Sequence, residues 1–199
     1  MNQTTGGRTV GLVMIVKNEA HVIERCLRSV LPLISFWTIV DTGSTDSTRD
    51  VIRDILTGFQ GRLHERPWVD FGYNRSEALK LAESHTDYLF VVDADDQIVF
   101  ENNFSPEKVK SQLVADAGLV KVVDHGISYK RMHFFRSQHG WRYEGILDEY
   151  ATCGGTFTSN VISGISYVRI GGGGRSINTG KFDRDITVLK AALNKTPGE

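Results

Sequence analysis

Thr9 to Val16 (TVGLVMIV) is apolar at almost every position and too short for a buried helix, so it reads as a strand covered on both faces. Beyond it the spacing changes. From Glu19 to Val30 the apolar residues Val22, Ile23, Leu27 and Val30 line one helical face, with Glu24, Arg25 and Arg28 left to water. Phe36 to Val40 is a second strand, ended by DTGSTDST at Asp41 to Thr48. There Ser44, Asp46 and Ser47 are good caps for a helix running through Ile52, Ile55 and Leu56. A third strand is expected over Arg62 to Glu65. A loop with Pro67, Trp68 and Phe71 follows, its aromatics read as core plugs, then a helix from about Arg75 to Glu83 and a strand over Tyr88 to Val92.

The second half has a different rhythm. Ser105-Pro106-Glu107 starts a helix expected to reach about Ala115, with Pro in the first turn. Leu119 to Val123, Ile127 to Phe135 and Trp141 to Glu144, with a turn at Ser137 to Gly140, suggest antiparallel hairpins. Further strand is expected near Thr156 and over Val161 to Ile170. Gly171 to Gly174 reads as a loop, and Lys181 to Asn194 as an amphipathic helix carrying Ile186, Leu189 and Leu193.

The βαβαβ alternation implies a parallel, Rossmann-like sheet with right-handed crossovers and helices on both faces. The expectation is therefore one α/β domain over 1–199: a nucleotide-binding half over about 9–96 and a hairpin-rich half over about 97–199. Such sheets bind ligands beyond the carboxyl ends of their strands. Lys17-Asn18-Glu19, Asp41 and Asp93 follow strands at that edge, and Arg75 opens a helix whose N-terminus lies there too.

Composition narrows the partners. The chain has 199 residues, 40% hydrophobic and 24% charged, and a net charge of −1, so no global basic field points to nucleic acid or an anionic membrane. Its apolar runs are too short to cross a bilayer, and no cleavage pattern of a signal peptide follows the first one. Cys26 and Cys153 form no metal-binding pair and read as reduced thiols. The expected location is the cytoplasm, with peripheral attachment to a membrane left open.

The apolar run YLFVV ends on three carboxylates in four residues, Asp93, Asp95 and Asp96. Crowded carboxylates repel one another and resist burial. A hard divalent cation, Mn²⁺ or Mg²⁺, takes carboxylate oxygens and shares them with substrate phosphates, which answers the arrangement economically. The competing reading is a solvated acidic turn.

MIVKNEAHVIERCLRSV, IVDTGSTDST, PWVDFGYNRSEAL and FVVDADD, in that order, resemble the nucleotide-sugar half of a family 2 glycosyltransferase of the glycosyltransferase-A fold. FRSQHGWRYEGILDEY and GGGGRSINTGKFDRDITVLKAALNKTP are similar to a branch whose catalytic domain precedes tetratricopeptide-type repeats. In that branch the repeats begin near the position of Thr196-Pro197, so the expectation is either a chain cut short of its C-terminal repeats or a stand-alone minimal form.

The resemblance implies a metal-dependent inverting transferase that moves a sugar from a nucleoside-diphosphate sugar, a UDP-sugar foremost, to an acceptor it does not identify. It assigns Asp41 to the base, and Val16, Asn18 and Glu19 to the nucleoside pocket. Arg75 meets the base or diphosphate, Asp93 with Ala94 lies at the ribose and metal, and Asp95 is the metal ligand. Asp96 is left between a ligand role and capping the next turn. The glycine run itself, apart from the resemblance, reads either as a mobile loop whose Arg175 and Lys181 would close over the diphosphate or as a bare linker. The base that takes the acceptor's proton is expected in YEGILDEY: Glu149 first, Asp148 second, Glu144 third. The branch commonly has His-Glu where this chain has Asp148-Glu149, so a histidine's role is missing here.

Bland readings stand beside these. Glu19 is a suitable first-turn acid, and Arg75 is close enough in sequence to pair with Glu77 or Asp70. A haloacid-dehalogenase-type phosphatase lacks its early DxD here, and a nucleotidyltransferase lacks a glycine-rich basic loop after the first strand. The alternative from a different class is a non-catalytic nucleotide- or carbohydrate-binding module of the same fold, which would need no base.

Overall fold

The computed structural model describes residues 7–145, 149–173 and 186. The first half builds β1 (Val10–Val16), α1 (Ile23–Val30), β2 (Phe36–Asp41), α2 (Thr48–Ile55), β3 (Gly61–Glu65), α3 (Phe71–Ala82) and β4 (Tyr88–Val91). The second adds β5 (Gln97–Phe100), α4 (Pro106–Ser111), β6 (Ala117–Asp124), β7 (Ile127–Arg136), β8 (Arg142–Glu144), β9 (Tyr150–Thr152) and β10 (Ser159–Arg169). One eight-stranded sheet has the order β3-β2-β1-β4-β7-β6-β10-β5, and β8-β9 form a separate antiparallel pair.

The unbroken apolar run of β1 is explained by its place between β2 and β4, parallel to both. Its even positions Val10, Leu12, Met14 and Val16 pack with Ile23, Leu27 and Val30 of α1 and Ile52 of α2. Val13 faces the other way, onto Ala78, Leu79 and Ala82 of α3 and onto Trp141. Helices therefore cover both faces. β1 to β4 run in one direction, so the loops after them share one edge. Cys26 is buried, Cys153 is partly exposed, and both are free thiols.

Several elements differ from expectation. α1 begins at Ile23, because the Glu19 carbonyl accepts from the backbone N–H groups of Val22 and Ile23 in a preceding turn. α3 begins at Phe71, where the Asp70 side chain accepts from Tyr73 N at 2.7 Å. Arg75 thus lies in the second turn rather than opening the helix. α4 ends at Ser111, and no strand forms at Thr156. Trp68 is 40% exposed and meets Phe71 edge-on at 4.8 Å, so it plugs no core.

The larger differences are topological. β6 and β7 do form a hairpin, turning at His125 and Gly126, both with positive φ as a tight turn matched to strand twist requires. β10, however, runs parallel to β6 within the main sheet, and β5, which the pattern does not reveal, closes the sheet as its outer strand beside β10. The expected helix over Lys181 to Asn194 lies outside the described residues except for Ile186, which is helical. Among the described residues no helix is long and apolar enough to cross a membrane.

Candidate active site

The loops after β1 and β2 are stitched together before any ligand is considered. The Val16 carbonyl accepts from both Thr42 N (2.9 Å) and Thr42 Oγ1 (3.0 Å). Asn18, with φ of 58°, donates its N–H to Ser44 Oγ and accepts from Thr45 N at 2.8 Å. Glu19 N donates to Thr48 Oγ1, and Asp46 accepts from Thr48 N and Ala20 N. Ser44 and Thr45 thus tie down the Asn18 loop rather than cap α2, and Ser47, at the N-cap position, makes no side-chain cap hydrogen bond, while Asp46 does accept from Thr48 N in the first turn.

Asp41 sits at the bottom of this cup, 1% exposed. Its Oδ1 accepts from Gly43 N and Ser44 N, both at 2.9 Å. Its Oδ2 is buried and has no hydrogen-bond partner among the described residues. A buried acceptor without a donor costs about 1–3 kcal/mol, which a ligand N–H would recover.

Arg75 joins the two halves. Its Nη2 donates to Asp93 Oδ1 at 2.6 Å and its Nε to Glu149 Oε1 at 2.8 Å, with side chains 12% and 9% exposed for Arg75 and Glu149. The local alternatives are spent elsewhere: Asp70 caps α3, and Glu77 pairs with Arg66 at 2.9 Å. Burial opposes the Arg75 charge, but Asp93, then Tyr143 and Glu149, raise its pKa above the ordinary value. Burial likewise pushes Asp93 up, yet the Arg75 guanidinium holds it below the usual carboxylate range.

The three carboxylates after β4 have separate fates. Asp93 goes to Arg75, while Ala94 is buried beneath the loop. The Asp95 carbonyl accepts from Arg25 Nη2 at 2.6 Å, so Arg25, expected in water, braces this loop. Asp95 Oδ2 accepts from Gly173 N at 3.1 Å. Asp96 is 3% exposed and accepts from Ile170 N at 3.1 Å; burial, then the Asp93 charge, push it up to about 6. It ties the end of β10 to the loop.

Gly173 explains part of the glycine run. A Cβ there would lie 2.8 Å from Asp95 Oδ2 and 3.0 Å from Glu19 Oε2, so any side chain would have to displace these two carboxylates. His21 Nε2 also meets the Gly172 carbonyl at 2.7 Å. The expected loop therefore lies against the acidic edge. Arg175, Lys181 and Asp148 fall outside the described residues. Glu144 is held on the β8-β9 hairpin by Arg142 and the Tyr150 hydroxyl.

Three groups at the site escape sequence reasoning. Tyr167, on β10, takes the Asp93 N–H on its hydroxyl at 3.0 Å. Tyr143 places its ring 5.7 Å beneath the Arg75 guanidinium. His133, on β7, is buried, and burial pushes it down to about 4. Only the apolar alternation of their strands was visible, and nothing in it marks these positions as polar.

Residues 12–159 match the model of glycosyl transferase family 2. The chain belongs to that family. Its sheet and flanking helices are the glycosyltransferase-A type arrangement, mixed at the strands contributed by the second half. A TPR repeat-containing protein of Synechococcus elongatus is 36% identical over 93 residues, covering 46% of this chain and 22% of that protein. The SPbeta prophage-derived glycosyltransferase SunS of Bacillus subtilis is 31% identical over 101 residues, 51% of this chain and 23% of SunS. The matches thus span less than a quarter of these relatives' length. Among solved structures, Staphylococcus aureus TarS 1-349 in complex with UDP is similar with a TM-score of 0.49 and 20% identity, over 62% of this chain and 38% of that one.

Proposed function

We propose that this family 2 chain is an inverting, metal-dependent glycosyltransferase that moves a sugar from a nucleoside-diphosphate sugar, a UDP-sugar first, to an acceptor hydroxyl. The observation that carries the reading is the Arg75 bridge. It fixes Asp93, on the donor side, and Glu149, on the acceptor side, to one guanidinium. A binding module has no need of a buried carboxylate clamped beside the donor loop. The relative SunS, by its name a glycosyltransferase, supports the same class.

In this reading Asp41 Oδ2 accepts an N–H of the base, while Val16, Asn18 and Glu19 shape the nucleoside cup. Glu149 presents its Oε2, which has no hydrogen bond among the described residues, to the acceptor hydroxyl and takes its proton as the oxygen attacks the anomeric carbon. Arg75 holds that carboxylate in orientation. Asp148 is the second candidate base, and Arg175 and Lys181 are assigned to the diphosphate. A branch carrying tetratricopeptide repeats fits the Synechococcus relative's name.

The donor set suits a hard cation. Around Gly173 the chain offers carboxylate oxygens of Asp95 and Glu19, with the His21 imidazole held against the neighbouring Gly172 carbonyl, although no group of three or more His, Cys, Asp or Glu forms a cage among the described residues. Mg²⁺ and Mn²⁺ commonly need only one or two protein carboxylates when substrate phosphates supply the rest. Asp95, with Asp93, would hold the ion. When bound, it supplies Lewis-acid stabilisation of the departing diphosphate.

The test is release of UDP from a panel of UDP-sugars. Turnover should require Mn²⁺ or Mg²⁺ and stop in EDTA. Glu149→Gln should lower acceptor-dependent turnover by about 10²–10⁴-fold, the usual contribution of a positioned base, with UDP affinity retained. Equal turnover in EDTA refutes the metal, and an active Glu149→Gln moves the base to Asp148 or Glu144.

A further inference from the structure

Beyond Asp93 the structure holds a narrow pocket that the roles above leave unused. Tyr129 and Arg131 alternate along β7 and share one face of the sheet, and His133 follows at the irregularity where the pairing with β6 shifts between Gly118 and Leu119. With Tyr167 of β10 they line the pocket, and Arg75 and Asp93 are also in its lining.

His133 is held rigidly there. Its ring stacks on Tyr167 at 4.0 Å between centroids and meets Phe90 edge-on at 6.5 Å. Its Nδ1 lies 2.9 Å from the Val91 carbonyl. A carbonyl only accepts, so Nδ1 carries the proton and Nε2 of the neutral ring is an acceptor. Nε2 is buried and has no partner among the described residues. The residue is 8% exposed and itself lines the pocket, and a buried acceptor without a donor is costly, so a donor entering there would relieve it.

The pocket's volume is about 40 Å³. A water needs at least about 10–15 Å³ on that measure, so there is room for one small polar group such as a hydroxymethyl, with the rest of a ligand outside. The charges at the mouth are unequal in their freedom. Arg75 is engaged by Asp93 and Glu149, and Arg169 by Asp124 at 3.1 Å. Arg131 is exposed, and its side chain has no ion-pair or hydrogen-bond partner among the described residues.

We propose that this pocket selects the acceptor, His133 Nε2 receiving a hydrogen bond from an acceptor hydroxyl and Arg131 pairing with an anionic group on the same molecule. The acceptor class is then an anionic polyol, a phosphorylated sugar or glycerol phosphate being the simplest form. This rests on the glycosyl-transfer reading for the word acceptor, but the pocket's ligand chemistry rests on His133 and Arg131 alone. A free phosphate ester and a lipid headgroup present the same groups.

The test titrates the full chain with glycerol 3-phosphate, glycerol and inorganic phosphate by calorimetry, with and without UDP and Mn²⁺. Phosphatidylglycerol vesicles, against phosphatidylcholine vesicles, form the lipid arm. Binding of glycerol 3-phosphate or of phosphatidylglycerol, at least tenfold tighter than glycerol or phosphate alone, supports the proposal and identifies the source. His133→Phe and Arg131→Gln should each weaken that binding at least tenfold while leaving UDP affinity unchanged. Arg131→Gln alters an exposed side chain and serves if His133→Phe fails to fold. Loss of UDP binding in Arg131→Gln would assign the cation to the donor and overturn the proposal. So would failure of every polyol phosphate probe to bind, which means His133 is satisfied by water only. A wild-type chain that binds no UDP but binds glycerol 3-phosphate refutes the transfer reading and keeps the pocket.

Discussion

The two oxygens of Asp41 have different surroundings. Oδ1 closes the turn after β2 through Gly43 and Ser44, and Oδ2 stays buried without a partner among the described residues. Asp41→Asn can keep the turn, since one oxygen remains, but presents an NH₂ where a base N–H would approach. A charge-assisted hydrogen bond is worth about 1.5–3 kcal/mol, so UDP affinity should fall roughly 10- to 150-fold by calorimetry. An unchanged dissociation constant would reduce Asp41 to a turn residue. His133 makes a different prediction at the same scale. Its folded pKa of about 4 lies below the unfolded value of about 6.5, because burial penalises the charged ring. Between these values the unfolded chain binds the proton and the native one does not, so stability is complete above about pH 6.5 and is lost as pH falls toward 4. Relative to His133→Phe, the wild type should lose about 2 kcal/mol between pH 7 and pH 5 in urea melts. Asp96, raised to about 6, changes stability in the opposite sense, but that contribution cancels in the comparison. A pH-independent difference would mean that the ring titrates normally.

At the scale of elements, the helices and first strands were legible because their signals are local. The apolar run of β1, the i, i+3, i+4 face of α1 and the caps before α4 sit within a few residues of one another. α3 begins four residues before Arg75, where the pattern puts its start, because Asp70, a loop residue by its surroundings in sequence, caps Tyr73 N. That cap sets the first turn from which Arg75 projects one turn later. Asp70→Ala should cost about 1 kcal/mol in chemical denaturation, and Asp70→Asn, which can still accept from Tyr73 N, should restore most of it. Equal losses in both variants would show that charge at the helix end, not the hydrogen bond, is what matters. β5 leaves no legible pattern for a physical reason: four residues at a sheet edge are too few to separate strand from loop.

The whole molecule is held at the site by contacts between residues far apart in the chain. Tyr167 accepts from Asp93 N across 74 residues, and its hydroxyl also hydrogen-bonds to the buried Asp96 carboxyl. Tyr167→Phe should therefore destabilise the fold by about 1–3 kcal/mol, because it leaves a buried N–H and a carboxyl short of a partner. Urea denaturation measures the loss, and a neutral substitution would show that solvent reaches this junction and replaces the hydroxyl.

The sequence alone determined the order of strand and helix through β4 and the gathering of Asn18, Glu19, Asp41 and Asp93 at one sheet edge. Both follow from periodicity and from the rule that parallel strands end on a common side. It also singled out Arg75 and Glu149, but as separate candidates: their pairing depends on how a helix from the first half meets the segment before β9, and residues 74 apart leave no local trace of it. The same holds for β10, whose alternating pattern suits a hairpin or a parallel neighbour of β6 equally well. Only the packed sheet decides which, and with that choice it brings Tyr167 under His133, whose Nε2 is left buried without a partner among the described residues.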